Sequence, residues 1–111
     1  MPDIIIVSLP GTLTQLPFAA PALLKASIQS AGLTCKTIDF NIRFYRTVPK
    51  EKIQELENFF STGVNVESME LAEKIVNQWA DEILGYNPRY VGISVFTYQN
   101  RTATKLLCKF L

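Results

Sequence analysis

The side chains best suited by type and spacing to do chemistry fall in three short stretches, each at the end of an apolar run. Leu9 to Leu16 follows Ile4-Ile5-Ile6-Val7-Ser8, Asp39 to Arg43 ends the segment Leu33 to Phe40, and Thr97 to Asn100 follows Tyr90 to Phe96. Together they offer hydroxyls on Thr12, Thr14 and Thr97, amides on Gln15, Asn41, Gln99 and Asn100, and aromatic faces on Phe96 and Tyr98, with Pro10, Gly11 and Leu13 shaping the first loop. Neutral donors and flat faces suit a flat ligand with a polar rim better than acid–base work. The sequence has no histidine, which removes serine–histidine and cysteine–histidine dyads, histidine-ligated zinc and any imidazole ligand to haem or cobalt. Cys35 and Cys108 stand far apart in sequence, so both are expected to be reduced core thiols rather than a disulfide framework or metal cluster. These residues nominate no catalytic group and no metal ligand set.

Nucleotide motifs can be tested against the first loop. A dinucleotide fold needs G-x-G-x-x-G there and a P-loop needs G-x-x-x-x-G-K-[ST], yet Leu9 to Leu16 holds Gly11 alone and no lysine. A phospho-receiver needs clustered acids after the first strand and an aspartate after the third, where Ser8-Leu9-Pro10 and Thr97 stand instead. A flavodoxin wraps phosphate with a hydroxyl-rich first loop, and Thr12 and Thr14 supply a sparse version, which keeps a flavin or nucleotide binder open as an alternative.

These loops need a scaffold, and the hydrophobic pattern predicts one. Ile4 to Ser8 and Tyr90 to Phe96 are continuous apolar runs of the kind that form strands covered on both faces, whereas Leu33 to Phe40 alternates as a half-buried edge strand does. A helix is predicted from about Pro21 to Gly32 with Leu24, Ile28 and Ala31 on one face. A second opens at Pro49, carries Ile53, Leu56 and Phe60, and ends at Gly63. A third is capped by Ser68, carries Ala72, Ile75, Val76, Trp79 and Ile83, and stops at Gly85 and Pro88. A last helix is capped by Asn100 and carries Ala103, Leu106, Leu107, Phe110 and Leu111. The segment Arg43-Phe44-Tyr45-Arg46 reads as a solvated basic turn. The result is an α/β fold, a three-layer Rossmann-like, flavodoxin-like parallel sheet with strand order 2-1-3, residues 1–111 forming a single domain with a helical insertion at about 49–85. The third strand is then an open edge. The last helix ends without a glycine cap, so the chain is expected to be truncated before strands four and five, with a further domain or a partner chain covering strand three.

Composition bounds the rest. Apolar residues make up 48% and charged ones 19%, as in ordinary globular domains, and 11 basic against 10 acidic residues leave no overall field to attract nucleic acid or an anionic membrane. No run approaches the roughly 20 apolar residues of a membrane span, and a signal peptide is not evident, so a cytoplasmic location is expected.

The sequence also resembles a known family. The order of Ile4 to Pro10, a proline-containing loop, a helix ending Ser30-Ala31-Gly32, a strand ending Asp39-Phe40-Asn41 and then Asn87-Pro88-Arg89-Tyr90-Val91-Gly92-Ile93-Ser94 is similar to the N-terminal cobalamin-binding domain of B12-dependent radical S-adenosylmethionine enzymes. Val91 to Thr97 looks like the strand carrying that family's S-x-L motif, with Phe96 in place of leucine. The resemblance implies that Ser94 and the following loop line the slot for the cofactor's nucleotide tail. It further implies cofactor contacts from Pro10, Gly11, Thr12, Leu13, Thr14, Gln15, Asn41, Phe96, Thr97, Tyr98 and Gln99. The D-x-H-x-x-G motif that supplies a cobalt-ligating histidine in related domains is replaced by Pro10 to Gln15, so binding would be histidine-independent. The C-x-x-x-C-x-x-C cluster motif is absent, which places radical chemistry, methyl transfer or rearrangement, outside this chain.

Each of these residues also has an ordinary reading. Ser94 suits a small core position, Thr12, Thr14 and Gln15 suit any polar loop, Phe96 and Tyr98 can pack under the last helix, Asp39 and Asn41 can make a turn, and Trp79 belongs to a helical core stripe. A ligand-free scaffold fragment associating through its exposed sheet edge therefore stands beside the cofactor reading as an alternative.

Overall fold

Four consecutive β-branched residues, Ile4 to Val7, put bulky side chains on both faces of a strand, and such a strand is stable only between layers. In the computed structural model, which describes residues 2–10, 19–63, 66–95 and 100–111, this strand, β1 (Ile4–Ser8), is the central one. It pairs in parallel with β2 (Cys35–Asp39) on one side and β3 (Tyr90–Ser94) on the other. The order β2-β1-β3 is the expected one, and the chain has a Rossmann-like α/β architecture with five helices among the described residues.

Alternation along β1 divides the two faces. Ile5, Val7 and Leu9 join Ile38 in a core with Phe40, Phe44, Leu56, Phe60, Val76, Trp79, Ile83, Ala103 and Leu107. Those residues come from α2 (Phe40–Thr47), α3 (Lys50–Thr62), α4 (Val66–Gly85) and α5 (Arg101–Phe110). Helix α1 (Ala19–Ser30) contributes nothing to that cluster and packs instead on β2 and β1, which places it across the sheet. Its contact is narrow. Leu24, expected in a buried stripe with Ile28 and Ala31, is 46% exposed, neighbouring Leu23 is 68% exposed, Ile28 is half-buried and Ala31 is exposed. A helix lying on two strands needs only a thin seam of apolar side chains.

The predicted glycine stops hold where the backbone demands them. Gly32 and Gly63 follow α1 and α3 with φ of +86° and +72°, the left-handed region that glycine enters without steric cost. Between β2 and β3 the structure departs from expectation. Asp39 ends the strand, and its carboxylate accepts the Ile42 N–H at 2.9 Å, which starts α2 at Phe40. Phe40 and Phe44, four residues apart, are both fully buried, so three helices rather than two cross from β2 to β3. Ser68 is buried inside the first turn of α4, which begins two residues earlier at Val66 instead of being capped by Ser68.

The supposed basic turn is also different. Arg43 lies on α2, with its guanidinium 5.0 Å from the Phe40 ring centroid, and its Nη1 donates to both Glu82 oxygens at 2.8 and 2.7 Å. Trp79 also stacks on Phe40, with ring centroids 4.8 Å apart. Cys35 is a buried thiol as expected, but Cys108 is exposed, because α5 turns Ala103 and Leu107 inward and Cys108 lies on the next position round. Among the described residues no helix is long and apolar enough to cross a membrane.

Candidate functional site

In open parallel sheets a ligand is held beyond the carboxyl ends of the strands, where strand order reverses. Here the reversal lies beside β1. The register aligns Asp39, Ser8 and Ser94 in one row across that edge. Register partners in parallel strands share a face, so these three side chains leave the sheet on the side where α1 packs.

The row is unequal in what it can offer. The Asp39 carboxylate is engaged as the cap of α2. Ser8 is 2% exposed, whereas Ser94 is half-buried and so accessible from outside the sheet. On the same face of β3, two residues before Ser94, lies Gly92, where a Cβ would meet the Ile6 Cδ1 at 2.7 Å. Only glycine lets Ile6 lean over β3 at that point. The half-buried pair Gly92 and Ser94 thus forms a shallow strip of small side chains leading to the carboxyl edge.

Asn100 ties the start of α5 to this edge. It was expected to cap α5, but its backbone is already helical, at φ −79° and ψ −6°, and its side chain makes no cap bond. Instead its amide nitrogen donates to the Leu9 carbonyl oxygen at 3.1 Å and lies 3.4 Å from that of Pro10, in surroundings that leave Asn100 1% exposed. The start of α5 is therefore tied directly to the exit of β1.

Of the residues nominated from sequence, Pro10 is buried at that exit, Ser94 ends β3, and Asn41 is fully buried in the first turn of α2, two residues past Asp39. The structure brings Pro10 and Ser94 to one edge and seats Asn41 inside the helical layer. Gly11, Thr12, Leu13, Thr14 and Gln15, and likewise Phe96, Thr97, Tyr98 and Gln99, lie outside the described residues. Ser8 was not singled out from sequence, and Asn100 was singled out only as a loop amide and a helix cap, not as a tie to the exit of β1. Ser8 was readable as one of two serines that end apolar runs, Ile-Val-Ser and Gly-Ile-Ser. The bonds of Asn100 to carbonyls some ninety residues away leave no local signal.

No protein-family model, curated protein or solved structure matches the chain. Its capability rests on its own groups. Among the described residues no three histidine, cysteine, aspartate or glutamate side chains gather as a metal site. Serine hydroxyls both donate and accept and stay neutral across the physiological range, so the edge can orient a ligand without titrating. The groups whose titration is displaced lie elsewhere. Asp3, at the amino end of β1, is held below the ordinary carboxylate range, chiefly by the Thr34 backbone N–H and then by the Thr34 hydroxyl. On α2 the Tyr45 phenol is pushed up by burial and by its hydrogen bond to Glu57.

Proposed function

We propose that this chain is a cobalamin-binding module that holds the cofactor without a histidine ligand, at the carboxyl edge of the sheet. One observation carries the reading: the strip formed by Gly92 and Ser94 is small, half-buried and polar at its end, and it sits beside Ser8 at the strand-order reversal. Such a strip fits the nucleotide tail of a corrinoid, which needs a narrow channel and hydroxyl partners more than charge. Ser94 would bond the tail, with Ser8 behind it and Pro10 at the exit of β1. When bound, cobalamin supplies methyl-transfer or rearrangement chemistry to a radical S-adenosylmethionine enzyme, of which this chain is proposed to be the cofactor-holding part. The chain's own residues would bind and orient.

Equilibrium dialysis of the 111-residue chain against hydroxocobalamin tests this, with FMN as the control ligand. Retention of cobalamin over FMN is expected, and Ser94→Val should weaken it roughly tenfold, as loss of a hydrogen-bonded position does. Cob(II)alamin bound to uniformly ¹⁵N-labelled chain should show an electron paramagnetic resonance spectrum indistinguishable from that with unlabelled chain. No retention, or equal retention by Ser94→Val, refutes the assignment, and preference for FMN supports a flavodoxin-type binder instead.

A second reading has its own support. Tyr90, which starts β3, and Val95, which directly follows it, are 70% and 51% exposed, and the strand has no described neighbour on its outer side. Association through that edge would make mass rise with concentration in light scattering, and a constant monomer mass would exclude it.

A further inference from the structure

Away from the sheet edge, helix α5 carries a charge pattern unlike that of the chain as a whole. The chain has a net charge of +1. Helix α5 alone carries Arg101, Lys105 and Lys109 and no acid. Spacing of four residues puts these bases on one stripe. Where that stripe meets the end of α3 and the first turn of α4, the surface opens into a cleft of about 440 Å³, within the range of small-ligand sites.

The cleft is two-sided in chemistry. Its apolar side is Phe59, Leu106 and Met69, of which Phe59 is 2% exposed and Met69 is 37% exposed. Its polar side is Lys105, Lys109, Thr102 and Thr62, and no carboxylate is among the described lining residues. Lys109 is paired with Glu73, whose carboxylate is 3.6 Å from the Lys109 Nζ, on a lysine side chain that remains 63% exposed. The end of α3 also lines the cleft, through Thr62 and Gly63. Gly63 sits so near α5 that a Cβ there would be 3.3 Å from the Thr102 Oγ1. A helix carries negative character at its carboxyl end, so a negative group entering the cleft is directed away from α3 and toward the two lysines.

We propose that this cleft is a second ligand site, specific for a small amphipathic anion whose head group pairs with Lys105 and Lys109 while its apolar tail lies on Phe59, Met69 and Leu106. A carboxylate, sulfate or phosphate ester head satisfies the same two ammonium groups, and a short alkyl or aryl tail fills the apolar side. A neutral molecule of the same shape forgoes both charge contacts.

Titration of the ¹⁵N-labelled chain with octanoate, followed by amide shifts, tests this against octanamide as a neutral control with the same tail. Saturable shifts at Thr102, Lys105, Leu106 and Lys109 are expected, with octanamide about tenfold weaker. Lys105→Gln and Lys109→Gln should each weaken octanoate roughly three- to five-fold, the scale of one exposed charge pair. Glu73→Gln should strengthen it roughly twofold by freeing Lys109. All three positions lie on the protein surface, so the unaltered amide spectra elsewhere verify that the fold is kept. Equal binding of octanoate and octanamide, lysine variants that bind as the parent does, or shifts centred on Leu23 and Leu24 would overturn the proposal. So would a response confined to an acidic amphipathic peptide with none to octanoate.

Discussion

Replacing Asn100 tests whether a single side chain ties the start of α5 to the exit of β1. The Asn100 amide donates to the Leu9 carbonyl across a site where both residues are about 1% exposed. Asn100→Ala leaves that carbonyl buried without this donor, at a cost of about 1–3 kcal/mol. For a domain of this size that is a fall in Tm of roughly 4–12 °C. Asn100→Asp is the sharper change, because at neutral pH it sets a buried carboxylate against the Leu9 and Pro10 carbonyl oxygens. Burial and those oxygens disfavour the charged form, so the aspartate's folded pKa is raised above its unfolded value of about 3.9. The sign follows from linkage: the favourable protonated form is fully present below the unfolded pKa and is lost as pH rises through the folded pKa. Protonated, the new carboxyl can donate to Leu9 as the amide does. Thermal unfolding followed by circular dichroism from pH 3.5 to 8 should therefore show Asn100→Asp well below Asn100→Ala at neutral pH, with the gap to the parent closing toward acid. Equal Tm values for both variants, or a gap independent of pH, would refute the role assigned to Asn100.

Three further outcomes are expected. Asp3→Asn removes a carboxylate whose folded pKa is depressed by Thr34, so the parent's advantage in Tm should be present above the ordinary aspartate pKa and disappear as pH falls through the lower folded value. Gly92→Ala forces the Ile6 Cδ1 from a contact of 2.7 Å and should lower stability by about 1–3 kcal/mol in urea unfolding, while Gly85→Ala, with open space around its Cβ, serves as the tolerant control. Phe40→Leu should cost about 1–3 kcal/mol and alter the emission of Trp79, the chain's single tryptophan, because it removes the ring stacked at 4.8 Å.

The sheet was legible because its signals are local. Ile4 to Val7 announces a buried strand by composition, Tyr90 to Ile93 announces a strand but not its burial, since Tyr90 is exposed and Val91 to Ser94 are half-buried on an edge strand, and Gly32 and Gly63 announce helix ends by the φ they must adopt. Trp79 fell on a 3.6-residue stripe and is core. Helix α2 was hidden because Phe40 continues the apolar run of β2, and aromatic residues suit strands as readily as helices. The discriminating signal was Asp39 as a cap with Phe40 and Phe44 one turn apart. What decides the position of Arg43 is Glu82, on another helix, and what decides Asn100 is a pair of carbonyls near the amino terminus. Such pairings belong to tertiary structure. At the candidate site, the serines were visible as strand ends, whereas their alignment with Asp39 depends on register, which a parallel sheet sets through distant crossovers.

Because β1 lies between its two partners, its pairing with β3 must wait until residue 90 has been synthesised, although β1 itself is complete by residue 8. Until then its isoleucines have at most one neighbouring strand, while α2, α3 and α4 can form from contacts near in sequence. Long-range parallel pairing of this kind is slow relative to helix formation. The residue that closes the circuit is Asp3: its carboxylate accepts the Thr34 N–H and its carbonyl accepts those of Arg89 and Tyr90. A newly made chain is thus most vulnerable to aggregation in the interval between the emergence of its first strand and its third, and protection by a chaperone would have to act on the amino-terminal isoleucines during that interval.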